Sequence, residues 1–205
     1  MNSILVATSN AGKLRDFAGA ASAVGIEVRP IPDFSSLPSV VEDGSTFEAN
    51  ARKKAEAYSL HVPGNIVIAD DSGLEVDALG GAPGVHSARY AASGPPGSGA
   101  NAEDEENNAK LIREIRRLPP EERTARFVCS IAAARDGTTL RVFEGKAEGL
   151  ILTAPRGTGG FGYDPLFYCP RIGKAFAELS AAEKANYSHR GEAFRRFLEW
   201  YRLEG

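Results

Sequence analysis

At 205 residues, with 42% hydrophobic and 25% charged side chains, the chain has the make-up of a globular protein with one substantial core, or two lobes sharing it. A disordered chain, a collagen-like repeat and a disulfide scaffold are thereby excluded. Twenty-seven acidic residues against 24 basic ones give a net charge of −3, which argues against a nucleic acid polymer as partner and leaves a mononucleotide open.

The first residues, Met1 to Thr8, carry no positive charge, and their apolar run is too short for a signal peptide. No apolar stretch elsewhere approaches the roughly 18 residues of a membrane helix. The two cysteines, Cys129 and Cys169, form no CxxC pair and read as core or near-surface thiols of a reducing compartment. These features place the protein in the cytoplasm with no membrane partner, as a single folding unit over 1–205.

Ile4 to Ala7 reads as a strand, Thr8-Ser9-Asn10 as a polar turn, and Leu14, Phe17, Ala18, Ala21 and Val24 as the apolar face of a helix. Glu27 to Pro30 returns as a strand. Ser45-Thr46-Phe47-Glu48 fits a capping box that opens a helix to Ser59, burying Phe47, Ala51, Ala55 and Tyr58. Ile66 to Ala69 is a buried strand feeding Asp70-Asp71-Ser72-Gly73, which has turn composition, and Leu74-Glu75-Val76 starts a second extended piece. Gly94 to Gly99 has the composition of a mobile loop. A helix follows from Ala102 to Arg117 with Leu111, Ile112 and Ile115 inward, stopped by Pro119-Pro120. Phe127 to Ala134 and Leu140 to Leu152 alternate as strands around an Asp136-Gly137 turn. Ser180-Ala181-Ala182-Glu183 is a second capping box, and Ala193, Phe194, Phe197, Leu198 and Tyr201 stripe a terminal helix. The mixture is α/β with a mixed sheet.

Four segments carry chemistry. Thr8 to Lys13 lies between a strand and a helix, where free N–H groups, hydroxyls and a lysine suit an anion, although it lacks the GxxxxGK[ST] spacing. An ordinary polar turn accounts for the same letters. Asp70 and Asp71 follow a buried strand; carboxylates so placed suit Mg²⁺, with one as ligand and Glu42 as another source, while an Asp-Ser-Gly turn is the plain alternative. Gly157 to Gly162 spells GxGxxG, but Tyr163-Asp164-Pro165 follows instead of a helix, so the dinucleotide reading fails. That loop displays Phe161, Tyr163 and Asp164 for stacking and polar contact with a ring, or simply for packing. Ser188-His189-Arg190, just before the terminal helix, and Lys184 gather hydrogen-bond donors, each of which alone is ordinarily a solvated surface residue.

Together these segments resemble the non-canonical purine nucleoside triphosphate pyrophosphatase family, the dITP/XTP or inosine triphosphate pyrophosphatases. The resemblance rests on residues 7–13, 46–51, 69–74, 80–84, 87–90, 157–165 and 183–191, in register across nearly the whole chain. It implies hydrolysis of 6-keto purine nucleoside triphosphates to monophosphate and pyrophosphate with Mg²⁺, by a homodimer with an elongated mixed sheet, two lobes and a central nucleotide cleft. Carried onto this chain, Thr8, Ser9, Asn10, Ala11, Gly12, Lys13 and Ser72 hold substrate. Glu42 and Asp71 bind metal, and Asp71 is also the proton acceptor. Phe161, Gly162, Tyr163, Asp164, Lys184, His189 and Arg190 complete the nucleotide site. Tyr187 departs from the aliphatic residue common before Ser-His-Arg, and the Gly94–Gly99 loop is richer in proline and glycine than usual. A nucleotide sensor without turnover is the competing reading. A phosphatase with an aspartyl intermediate is disfavoured because DxDx[TV] is absent.

Overall fold

Strand β1 (Ser3–Val6) forms one residue before the apolar run Ile4 to Ala7 predicts it, β2 (Glu27–Pro30) forms at the predicted residues, and helix α1 (Ala11–Ser22) crosses between them. The remaining elements are α2 (Phe47–Ser59), β3 (Val67–Val76), a 3₁₀ helix (Gly84–Arg89), α3 (Asp104–Ile115), β4 (Thr124–Arg135), β5 (Thr138–Ile151), β6 (Phe167–Cys169), β7 (Lys174–Ala175), α4 (Ala181–Tyr187) and α5 (His189–Glu204). The computed structural model describes residues 3–22, 24–92 and 102–204, so the expected Gly94–Gly99 loop lies outside the described residues. The seven strands among the described residues join one sheet in the order β2-β1-β3-β4-β5-β6-β7. The β1 pairings are parallel and those from β3 onward antiparallel, which is the mixed α/β sheet expected.

Helix α2 begins one residue later than the capping box predicts. Thr46, not Ser45, is the cap, its Oγ1 accepting from Ala49 N at 3.1 Å, while the Glu48 carboxylate takes Arg52 Nε at 2.7 Å. At α4 the predicted box is present: Ser180 Oγ accepts from Glu183 N at 3.3 Å and Glu183 Oε2 accepts from Ser180 N at 2.9 Å. The β4–β5 turn carries positive φ at Asp136 (50°) and Gly137 (79°), the mirror-image geometry that matches the twist of a hairpin.

The largest correction concerns Asp70 to Gly73. They make no turn: β3 runs unbroken through them, and its antiparallel ladder with β4 extends from Val67↔Ala134 to Val76↔Ala125. The pairing with β4 gives this segment a continuous ladder along one edge, and this outweighs the turn preference of Asp-Ser-Gly. Successive side chains therefore point to opposite faces. On one face Ile68 joins Phe17, Ile131, Phe194 and Phe197 beneath α1 and α5; on the other, Val67 and Ala69 pack with Ala51, Ala55 and Tyr58 of α2. Further along the sheet, Leu74 and Phe127 pack with Leu111 and Ile115 of α3. Helix α5 crosses β5 at Gly145, where an added Cβ would meet Ala193 N at 2.5 Å, so only glycine permits this approach.

Candidate functional site

A cavity of about 390 Å³ opens on the sheet where β1, β3 and the loop before β6 meet. It is lined by Thr8, Ser9, Asn10 and Lys13, by Glu42, Asp71 and Ser72, and by Phe161, Gly162, Tyr163, Asp164, Lys184, His189 and Arg190. Of the residues that the resemblance assigns to substrate or metal, Ala11 and Gly12 alone do not line it, and Ser188 of the Ser-His-Arg segment also lies outside it. Ala11 is exposed. Gly12 packs under the Phe161 ring, where an added Cβ would lie 2.6 Å from Cδ1. Gly12→Ala should therefore push the ring aside and raise KM for a nucleotide several-fold while leaving the melting temperature within a few degrees; unchanged KM would show that the ring's position is immaterial.

The first wall comes from the β1–α1 turn. Thr8 Oγ1 accepts from Asn10 N at 3.2 Å and Asn10 Oδ1 accepts from Lys13 N at 3.0 Å, so side chains take up the N–H groups of Asn10 and Lys13 but not those of Ala11 and Gly12 between them. This opens α1 toward the cavity with Lys13 one turn in, at the positive end of the helix dipole.

The second wall is β3, where alternation separates the two aspartates. Asp71 faces α2: its Oδ2 accepts from Asn50 Nδ2 at 2.9 Å, its Oδ1 accepts from Ser72 N at 3.0 Å, and Lys54 Nζ stands 4.0 Å from Oδ1. Lys54 also pairs with Glu42 Oε2 at 2.8 Å. Burial pushes the Asp71 carboxyl above the ordinary range, with Lys54 and Lys13 only partly opposing it. Burial works against the Lys54 charge, but Asp71 and Glu42 outweigh it and raise the ammonium.

Asp70 faces α1 and α5. Its Oδ2 lies 3.0 Å from Lys13 Nζ, 3.2 Å from Arg190 Nη2 and 3.3 Å from Ser72 Oγ. Burial opposes its charge, yet Lys13 and Arg190 overcome that and hold the carboxyl well below the usual range.

The third wall corrects the expectation of solvated donors before the terminal helix. His189 and Arg190 form the first turn of α5, and His189, Arg190 and Lys184 are 3%, 2% and 5% exposed. Arg190 donates from Nη1 to Asp16 Oδ2 at 2.8 Å, from Nε and Nη2 to Asp70 Oδ2, and from Nη2 to Ser72 Oγ at 2.6 Å. Lys184 Nζ donates to Asp164 Oδ2 at 2.7 Å and lies 3.4 Å from Asp16. The Phe161 ring sits beside both cations, 4.6 Å from Lys184 Nζ and 5.5 Å from the Arg190 guanidinium. His189 stacks on Phe127 at 4.6 Å, and its Nδ1 is buried without a partner among the described residues. Burial first, then Arg190 and Lys184, hold this imidazole neutral at pH 7. Tyr187 turns away from the cavity to lie under Arg171, so its departure from the family pattern does not alter the site.

Asp16, Asn50, Lys54 and Arg89, whose Nη2 donates to Glu42 O at 3.3 Å, are given no role by the sequence reading, although Asn50 and Arg89 stand in segments that carry the resemblance. Asn50 and Lys54 had one signal, since they are four apart and immediately precede the buried Ala51 and Ala55 of α2. The donor set also bears on a metal. Glu42 and Asp71 converge on one cationic point, and no group of three His, Cys, Asp or Glu side chains forms a metal-binding cluster among the described residues. Two hard carboxylates fit Mg²⁺, which takes its other ligands from water and phosphate, and do not fit zinc.

Residues 4–200 match the Ham1 family. The chain belongs to it. This Ham1 family member is 50% identical over 206 residues to the dITP/XTP pyrophosphatase of Geobacillus kaustophilus, covering 100% of this chain and 97% of that one. It is 47% identical to the dITP/XTP pyrophosphatase of Geobacter sulfurreducens, with both chains fully covered. Its fold matches the structure of the Staphylococcus aureus Ham1 protein with a TM-score of 0.80 at 40% identity, over 100% of both chains.

Proposed function

We propose that this chain hydrolyses dITP, ITP and XTP to the nucleoside monophosphate and pyrophosphate, removing non-canonical purines from the nucleotide pool. One observation carries the reading: a single cavity is lined by an anion-binding helix start, a buried carboxylate with a second acid in reach of a common cation, and neutral and cationic donors beside an aromatic ring. Relatives named dITP/XTP pyrophosphatase over the full length support the substrate class.

Glu42 and Asp71 would hold Mg²⁺, which when bound neutralises phosphate charge and stabilises the departing pyrophosphate. Thr8, Ser9 and Asn10, with Ala11, Gly12 and Lys13 behind them, present N–H groups, hydroxyls and an ammonium to the phosphates, and Ser72 adds a donor on the same side. Lys184 supplies a second ammonium. Asp71, restrained by Asn50 and the Ser72 N–H, accepts the proton of the water that attacks the α-phosphorus.

Phe161 offers a stacking face, with Gly162, Tyr163 and Asp164 completing the base side. Arg190 already makes four hydrogen bonds within the protein, so the neutral His189 N–H is the principal donor toward a purine O6 and Arg190 adds one remaining N–H. The amino group of adenine would leave these donors unpaired, a mismatch that can reach about 10⁴-fold.

No helix among the described residues is long and apolar enough to cross a membrane. The cytoplasm, a homodimer and a single functional unit over 1–205 complete the proposal on the strength of the family resemblance.

The test is to incubate the protein with Mg²⁺ and, separately, ITP, dITP, XTP, ATP and GTP, following monophosphate, pyrophosphate and orthophosphate together. Pyrophosphate from the 6-keto non-canonical substrates is expected; orthophosphate, or equal turnover of ATP and ITP, overturns the reading. The pH profile gives a second check. Asp71 must be ionised to act, and burial raises its carboxyl, so at fixed Mg²⁺ kcat/KM falls as pH drops through that raised value. Lys54→Met removes the largest charge opposing the shift and should move the acid limb to higher pH. A limb that stays in place would separate Lys54 from Asp71 ionisation.

A further inference from the structure

Outside the groups assigned above, three polar side chains at the start of α3, the exposed Asp104, the buried Asn107 and the half-buried Asn108, bond to the loops around the cavity. Asp104 Oδ2 accepts from Gly162 N at 2.6 Å, and Asn108, four residues on, donates from Nδ2 to Gly162 O at 3.0 Å. One helix thus holds both backbone polar groups of a single loop residue. Asn107 beside them reaches the other way: its Oδ1 accepts from Ala91 N at 2.8 Å and its Nδ2 donates to Ala88 O at 3.3 Å, at the end of the 3₁₀ helix. The Tyr163 hydroxyl donates to Ser87 O at 2.8 Å, tying the same loop to that 3₁₀ helix. Leu111 and Ile115 anchor α3 in the core, so the bracket is fixed at its far end.

Gly162 has φ of 60°, and no other described secondary structure grips the loop at this residue. Its neighbours are the groups on the base side. The Phe161 ring precedes it, and Phe161 N donates to the Asp164 carboxylate that also holds Lys184. A loop released at Gly162 would have to be ordered again each time a ring binds, at a cost in affinity.

We infer that Asp104 and Asn108 are positioning residues for the purine half of the substrate, holding the Phe161–Asp164 loop in its binding geometry through Gly162. The inference rests on the proposed hydrolysis of purine nucleoside triphosphates. It separates base binding from most of the phosphate side, because Thr8 to Lys13 and the Asp71 group lie on other elements, and Lys184, which Asp164 of this loop holds, keeps Asp16 at 3.4 Å as a second partner.

The test uses the full chain and two probes, inosine monophosphate and inorganic tripolyphosphate, with Kd measured by calorimetry alongside ITP kinetics. Asp104→Ala and Asn108→Ala should each weaken inosine monophosphate and raise KM for ITP by about tenfold. Tripolyphosphate affinity and kcat should stay within about twofold, as no phosphate-side bond is altered. Asp104→Asn should restore binding, since its amide oxygen still accepts from the Gly162 N–H. If Asp104→Ala does not fold, Asn108→Ala carries the test without a change of charge. Equal weakening of both probes, or unchanged inosine monophosphate affinity in variants of an enzyme that turns over ITP, overturns the positioning role alone. Failure of the unaltered chain to cleave ITP overturns the role and the proposed function together.

Discussion

Asp71→Asn should lower kcat for ITP by roughly 10³-fold, the scale on which a positioned base contributes. The fold should survive. Asp71 accepts from Asn50 Nδ2 and from Ser72 N, and an amide can keep one of these bonds at the loss of the other, at a cost of about 1 kcal/mol. Lys54 keeps Glu42 at 2.8 Å, so no ammonium is stranded. Removing a carboxylate that burial already disfavours in its charged form also offsets part of that cost. Thermal unfolding within a few degrees of the parent, together with the lost turnover, is the expected pair of results. Near-normal turnover would take the proton-acceptor role away from Asp71.

Arg190→Met should be the most destabilising single change at the site. The guanidinium is almost wholly buried and is shared between Asp16, Asp70 and Ser72. Methionine fills much of the aliphatic volume but leaves Asp70 with Lys13 and Ser72 alone, and Asp16 with Lys184 at 3.4 Å. Breaking a buried pair from one side costs about 3–5 kcal/mol, and in a domain of this size about 3 kcal/mol lowers Tm by roughly 10 °C. Adding Asp70→Asn should recover part of the loss, because the stranded charge and not the missing volume carries it. A pH scan makes the same point: Asp70 is held below its unfolded value of about 3.9, so its stabilising share is present above that pH and lost on acidification. That acid dependence should be weaker in Arg190→Met. A double variant no more stable than Arg190→Met would assign the loss to packing.

Most strand and helix positions were legible because apolar period and punctuation agree at Ile4 to Ala7, at Phe47 to Ser59 and around Asp136-Gly137. The Asp70–Gly73 segment was not, since its letters describe a turn and only the continuous antiparallel pairing with β4 makes it a strand. The buried donors were illegible for a similar reason. His189 and Arg190 look like surface residues until α5 stacks the first on Phe127 and sets the second against Asp70, 120 residues earlier, and Asp16, 174 residues earlier. No local pattern encodes an ion pair across such separations. The resemblance to a family gathered these residues into one list, and the fold supplies the physical reason: three acids, Asp16, Asp70 and Asp164, accompany Lys13, Lys184 and Arg190 out of water.

The unbroken course of β3 divides labour between adjacent residues. Asp70 and Asp71 are neighbours in sequence, yet the backbone stands between them as a partition, with one side chain joined to α1 and α5 and the other to α2. On the proposed reading the second side carries bond cleavage, while the first ties Lys13 of the phosphate-binding turn to Arg190 at the start of α5. Changes confined to the Asp70 side therefore leave Asp71 and its α2 partners Asn50 and Lys54 in place.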